Sequence, residues 1–294
     1  MTDVDVMKLP DRAAASLPAG SAGRPVWHLA LSYDGAAYSG WQVQPHAPTI
    51  HGELEKRLRL LFRAPALRLA ATSRTDAGVH ALDQHVTFSL PPELEVLPEL
   101  TPEQVRYVLN RWLPAAIRVQ AAELREPAFH ARHSAIGKAY TYVISNQDQT
   151  SPFAARYAWI YPNRVLDTAA MAEAASAFVG EHDFASFAAN DKHGAREDTV
   201  RRLWKVEVIR DGSWVYLNVL GESFLYKMVR AIAGFLLHVG RGSCPPHAVH
   251  EVLAARNRGA AADSAPAQGL FLARVFWQPD EWRRYTPKLP PFVP

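Results

Sequence analysis

Two hydrophobic periods alternate through residues 26–124, and this alternation limits the folds open to the chain more than any other feature. Val26–Tyr33 puts Trp27, Leu29 and Leu31 on one face of a strand. Residues 49–62 then align Ile50, Leu54, Leu58, Leu61 and Phe62 on one helical stripe, with Lys56, Arg57, Arg59 and Arg63 largely off it. Apolar runs at 67–72 and 80–90 read as two further strands. Thr101-Pro102-Glu103-Gln104 is a helix start, with a Thr cap, Pro at the first position and Gln to close a capping box. That helix runs to about Leu113, and a strand resumes over 117–124. The order β-α-β-β-α-β is the split pattern of ferredoxin-like, or RRM-like, domains.

The second half repeats the theme less cleanly. A strand is predicted over 139–145, and Asp167 caps an Ala-rich helix to about Phe178. Residues 203–210 and 214–220 form a hairpin across Asp211-Gly212. Helices follow over 224–239 and 246–255, then a strand over 270–277. The expectation is an α+β chain of two α/β domains with mainly antiparallel sheets, 25–126 and 127–278. Residues 1–24, rich in Ala, Pro, Gly and Ser, read as a disordered leader, and 279–294 as a Pro-rich tail.

Composition narrows the function classes. With 48% hydrophobic and 21% charged residues, the 294-residue chain has material for a sizeable core, which excludes global disorder. A formal charge of +3 excludes a binder that works by bulk charge. The cations number 25 Arg against 7 Lys, a skew that suits anionic partners and that GC-rich codon usage also produces. A lone cysteine, Cys244, removes disulfide frameworks and Cys-based zinc sites. No apolar run approaches the roughly 18 residues of a membrane span, and no secretory signal opens the chain. A soluble, cytoplasmic protein is expected. Neither G-x-G-x-x-G nor a P-loop is present, and His80 has no cluster of ligands around it in sequence, so neither cofactor nor metal is expected.

On residues alone, Thr75-Asp76-Ala77-Gly78 is a tight turn, or a carboxylate held at a strand end with Arg74 available for a phosphate. Tyr140 and Tyr142 share a strand face, ordinarily core packing. Arg230 sits among Met228, Val229, Ile232 and Ala233, a setting that favours a paired, buried arginine over a solvated one.

The stretch from Arg74 to Ala81, Arg-Thr-Asp-Ala-Gly-Val-His-Ala, resembles the signature of the bacterial tRNA pseudouridine synthase A family. Tyr33-Asp34-Gly35, Gly40-Trp41-Gln42, the helix opening at Thr49, Phe129-His130-Ala131-Arg132 before Tyr140, His182-Asp183-Phe184 and Phe224–Arg230 are similar to its other motifs, in order. The likeness covers about 25–277; Ser73, Ala36 and His51 depart from it.

The resemblance implies two domains meeting at a central active-site cleft, and isomerisation of uridines 38, 39 and 40 in the tRNA anticodon stem-loop, with no cofactor or metal. It makes Asp76 the nucleophile, attacking sugar C1′ or uracil C6, after the target nucleotide is flipped out. Arg230 becomes the partner of Asp76, and Tyr140 the ring on the target base, with proton transfer as a second role. Arg74, Leu270 and His80 become substrate contacts. The partners implied are tRNA and a second copy in a homodimer, with neither membrane nor DNA. Two basic runs are candidate phosphate surfaces: Arg57, Arg59, Arg63 and Arg68, and Lys192, Arg196, Arg201, Arg202 and Lys205. The alternatives are a non-catalytic double RRM-like RNA-binding module, which lacks its aromatic signature here, and a glycosidase, which lacks its second carboxylate.

Overall fold

A computed structural model of the chain describes residues 23–91, 100–162, 164–189 and 198–287. The elements run β1 (Val26–Tyr33), α1 (Ile50–Leu61), β2 (Ala70–Ala71), β3 (His80–Phe88), α2 (Pro102–Trp112), β4 (Ile117–Arg125) and β5 (Gly137–Ser145). There follow α3 (Pro152–Ala155), β6 (Trp159–Ile160), α4 (Thr168–Ser176), β7 (Gly180–Asp183), β8 (Val200–Asp211), β9 (Trp214–Gly221), α5 (Met228–Gly240), α6 (Ala248–Ala255) and β10 (Leu270–Phe276). Local chemistry sets several of these ends. Thr101 and Gln104 close the expected capping box on α2, and Asp167 accepts from the Ala169 and Ala170 amides at the start of α4.

The strands join in one mixed sheet of order β4-β1-β3-β10-β5-β9-β8-β7, with β2 on β3 and β6 on β5. All neighbours are antiparallel except β10 on β3 and β6 on β5. The last strand therefore lies between β3 and β5, pairing Phe271 with His80 and Leu272 with Ala81 on one side and Leu272 with Tyr140 on the other.

Alternation sorts the strand side chains onto two faces. Leu29, Leu31, Tyr142, Leu217 and Leu272 join one continuous core with apolar residues of α1, α2, α4, α5 and α6. Val143, Tyr216 and Phe271 point to the other face, where Ala154 of α3 meets them. Among the described residues no helix is long and apolar enough to cross a membrane.

Three elements differ from the sequence expectation. The strand over 67–72 contracts to Ala70–Ala71. The helix expected from 224 begins at Met228, because Lys227 takes φ 59° and breaks the helical path before it. Part of the expected tail folds back: Trp282 stacks on Trp204 at 5.4 Å, and Tyr285 meets Phe276 edge-on. The leader, 1–22, and residues 288–294 lie outside the described residues.

Candidate active site

The loop between β2 and β3 carries Asp76, and the structure fixes it from both sides. Gln84 clasps Ser73, donating from Nε2 to its carbonyl at 2.8 Å and accepting its amide at 3.3 Å. The Tyr33 hydroxyl bonds Thr75 Oγ1 at 2.8 Å, and the Trp41 amide donates to the Thr75 carbonyl at 3.0 Å. The Asp76 carbonyl accepts from the Val79 amide at 3.1 Å, with Gly78 at φ 78°. The backbone is thus the tight turn read from Thr-Asp-Ala-Gly. The glycines of the preceding motifs let the 34–41 segment lie against it. A Cβ on Gly40, whose φ is 89°, would stand 2.8 Å from the Thr75 carbonyl oxygen, and one on Gly35 2.0 Å from that of Val79.

The Asp76 side chain does not cap its own turn. It reaches α5, where Arg230 donates from Nη1 to Oδ2 at 3.0 Å. The guanidinium is held at its other edge, Nε donating to the Ala265 carbonyl at 2.7 Å, while the Ala265 amide donates to the Arg230 carbonyl at 2.9 Å. Both side chains keep only about one-seventh of their exposure, 15% for Asp76 and 14% for Arg230. The pair is thus largely out of water but open on one side.

That open side faces a cleft of about 420 Å³, the size range of small-ligand sites, over the central strands β10 and β5. Asp76, Arg230, Tyr140, Leu270 and Arg74 all line it. Tyr140 is buried, with its hydroxyl on Ser73 Oγ at 2.7 Å and Phe224 edge-on to its ring at 4.9 Å. Burial first, then the Asp76 charge, pushes the Tyr140 hydroxyl up to about 12, against the opposing pull of the Ser73 bond. At neutral pH it is the neutral phenol. Arg74 is exposed and makes no hydrogen bond or ion pair with any described residue.

A family model described as tRNA pseudouridine synthase matches residues 174–278. tRNA pseudouridine synthase A of Syntrophotalea carbinolica is 40% identical over 256 residues, covering 87% of this chain and 98% of its own. The chain belongs to the tRNA pseudouridine synthase A family. The relative from Bacillus pumilus is 40% identical, covering 84% of this chain and 97% of its own, and that from Bacillus subtilis 38%, with the same coverage. Membership places the chain among the isomerases.

Not every expected contact is at the cleft. His80 is buried elsewhere, stacked on Phe271 at 4.7 Å, with Nδ1 accepting from the Gly35 amide at 3.1 Å beside Asp34. Burial lowers its pKa, and the ring braces the 34–35 segment rather than lining the cleft. The first basic run is largely self-neutralised: Arg57 pairs with Glu53, and Arg59 with Glu55 at 3.1 Å. Arg202 meets Glu181 at 3.0 Å and Lys205 meets Glu207 at 2.9 Å. Arg63 sits past the end of α1 at φ 50°. None of these five lines the cleft; Lys192 and Arg196 lie outside the described residues. Asp183 of the His182-Asp183-Phe184 motif accepts from the Ala185 amide and Thr199 hydroxyl, a structural clasp.

The structure adds residues that sequence reasoning did not single out. Gln84 and Ser73 position the Asp76 loop and the Tyr140 hydroxyl. Lys138 also lines the cleft with Arg74, as do Arg132 and Lys227 of the resembling motifs and Arg201 of the second basic run. Lys138 carries a readable signal, since strand parity puts it on the Tyr140 face.

Proposed function

We propose that this chain isomerises uridines 38, 39 and 40 of the tRNA anticodon stem-loop to pseudouridine, with Asp76 as nucleophile. The observation that carries the reading is the Asp76–Arg230 pair beside a nucleotide-sized cleft, in a chain of this family. The strand orders β4-β1-β3-β2 and β10-β5-β9-β8 support two ferredoxin-like halves, 25–126 and 127–278, that share one sheet and meet at that cleft.

The reaction breaks N1–C1′, turns the uracil and joins C5 to the same C1′; C5 loses a proton and N1 gains one. The base in the stem is flipped out first, at a cost of a few kcal/mol. Arg74, unpaired at the cleft, takes the place the base vacates or an adjoining phosphate. Tyr140 offers its ring to the uracil, and Leu270 an apolar wall. Arg230 holds Oδ2 of Asp76, leaving Oδ1 without a hydrogen bond from any described residue and free to attack C1′ or uracil C6. A phenol with its pKa pushed up to about 12 is a poor first acceptor for the C5 proton, so Tyr140 serves as a stacking surface before it serves as a base. The working form in this reading is a cytoplasmic homodimer, as the family resemblance implies.

Asp76→Asn tests the reading. The variant should fold, bind tRNA and release no tritium from C5-labelled substrate. Release at a wild-type rate would remove Asp76 from the chemistry. Binding without release by the wild type would favour the RNA-binding module instead.

A further inference from the structure

Among the described residues, six cationic side chains line the cleft, Arg74, Arg132, Lys138, Arg201, Lys227 and Arg230, against two carboxylates, Asp76 and Glu222. Arg230 neutralises Asp76, and Glu222 sits 3.9 Å from Arg202 outside the lining. A surplus of positive charge is left among the residues that line the cleft, Lys138 included.

Lys138 is unusual among these. It lies on β5, paired with Gly221 of β9 and Val275 of β10, two residues before Tyr140 and on the same face. A two-residue step along a strand is about 7 Å, close to the distance between successive phosphates of a nucleic-acid strand. No carboxylate of a described residue lies within ion-pair distance of its ammonium. Burial, and then the repelling charge of Arg132, pull its pKa down to about 8. Arg201, on β8, pairs through Nη1 with the exposed Asp198, yet its Nε is buried without a hydrogen bond. A half-buried lysine beside a repelling arginine and with no counter-ion is a costly arrangement, and an arriving anion relieves it.

We propose that Lys138, with Arg132 beside it and Arg201 lining the same cleft, forms a phosphate subsite that holds the RNA backbone one linkage from the nucleotide presented to Asp76. The proposal rests on the reading above that the cleft receives RNA. Lys138 is then a substrate-binding residue, acting on KM and not on the chemical step. Its charge also sets a pH limit: the phosphate contact is made while the ammonium is protonated and weakens as pH rises through the lysine's pKa. The other charged groups lining the cleft are the guanidinium groups of Arg74, Arg132, Arg201 and Arg230, the Lys227 ammonium, and the carboxylates of Asp76 and Glu222.

The experiment compares wild type, Lys138→Met and Lys138→Arg in steady-state kinetics on tRNA transcripts, from neutral pH to above the lysine's pKa. Lys138→Met should raise KM on the order of tenfold with kcat largely kept, and should lower the salt dependence of binding by about one ion. Lys138→Arg should restore KM and remove its alkaline rise. A stem-loop with one neutral methylphosphonate linkage next to the target uridine gives an independent arm. It should bind wild type about tenfold more weakly than the natural RNA, and Lys138→Met no more weakly. Equal KM for wild type and Lys138→Met would overturn the subsite. So would a kcat lost in Lys138→Arg as fully as in Lys138→Met, because that pattern makes the neutral amine a base. The Asp76→Asn result stands apart from all of these, since those variants retain the nucleophile.

Discussion

Lys138→Met should make the protein more stable at neutral pH even as it weakens substrate binding. The Lys138 ammonium has its pKa lowered from 10.5 to about 8, by burial and by Arg132. At about 1.36 kcal/mol per tenfold change in proton affinity, holding the charge in the folded state costs up to about 3 kcal/mol. The sign follows from proton counts. Between about pH 8 and 10.5 the unfolded lysine is protonated and the folded one is not, so wild-type stability rises with pH across that window. Below it the penalty is fully present. Methionine has a similar reach and does not titrate, so the variant should lead by about 2–3 kcal/mol near pH 7, the lead shrinking toward pH 10. Urea unfolding of both proteins at a series of pH values measures this, and effects common to both cancel in the difference. A lead that does not change with pH would refute the reasoning, since it would come from packing and not from charge. A wild type more stable than the variant at neutral pH would show that an anion already pairs with the lysine in the free protein.

Two further substitutions probe the other side of the cleft. Arg230→Ala removes the donor to Asp76 Oδ2 and the brace to the Ala265 carbonyl, and should lower single-turnover isomerisation on the order of 10²–10³-fold while tRNA binding persists; a loss under tenfold would deny the pair its role. Gly40→Ala forces a side chain onto a φ of 89° and against the Thr75 carbonyl, so stability should drop by about 1–3 kcal/mol and activity with it. An alanine variant as stable and active as wild type, by urea unfolding and tritium release, would mean the Asp76 loop does not depend on that approach.

Much of this site is legible in the amino-acid sequence, for physical reasons that differ by residue. The turn at Thr75–Gly78 is local chemistry, and Gly78 alone announces the positive φ it adopts. The apolar company of Arg230 signals a buried cation in need of an acid, and the fold supplies Asp76 from 154 residues away. A charge count along the chain leaves out the partners of each charge, and among the described residues of the two basic runs Arg201 alone lines the cleft. Glu53 and Arg57, and Glu55 and Arg59, stand four apart on α1, a spacing at which opposite charges meet. His80 misleads for another reason: its motif neighbours face the cleft, while its own ring turns to Phe271. Strand parity shows which face Lys138 shares, but nothing in the sequence says that its strand lies at the centre of a sheet, where even a lysine is half-buried. The insertion of β10 beside β3 is equally non-local, and no pattern within either strand encodes it.

That insertion has a consequence for the chain as it is made. β10 follows every other described strand in chain order, yet it occupies the middle of the sheet and supplies Leu270 to the cleft. Until it arrives, β3 and β5 each expose an unpaired edge, the kind of edge that invites pairing with other chains. The 154-residue separation between Asp76 and Arg230 adds loop-closure entropy to the assembly of the site. A chain truncated before β10 should therefore lack the Leu270 wall of the cleft and be prone to associate through those edges.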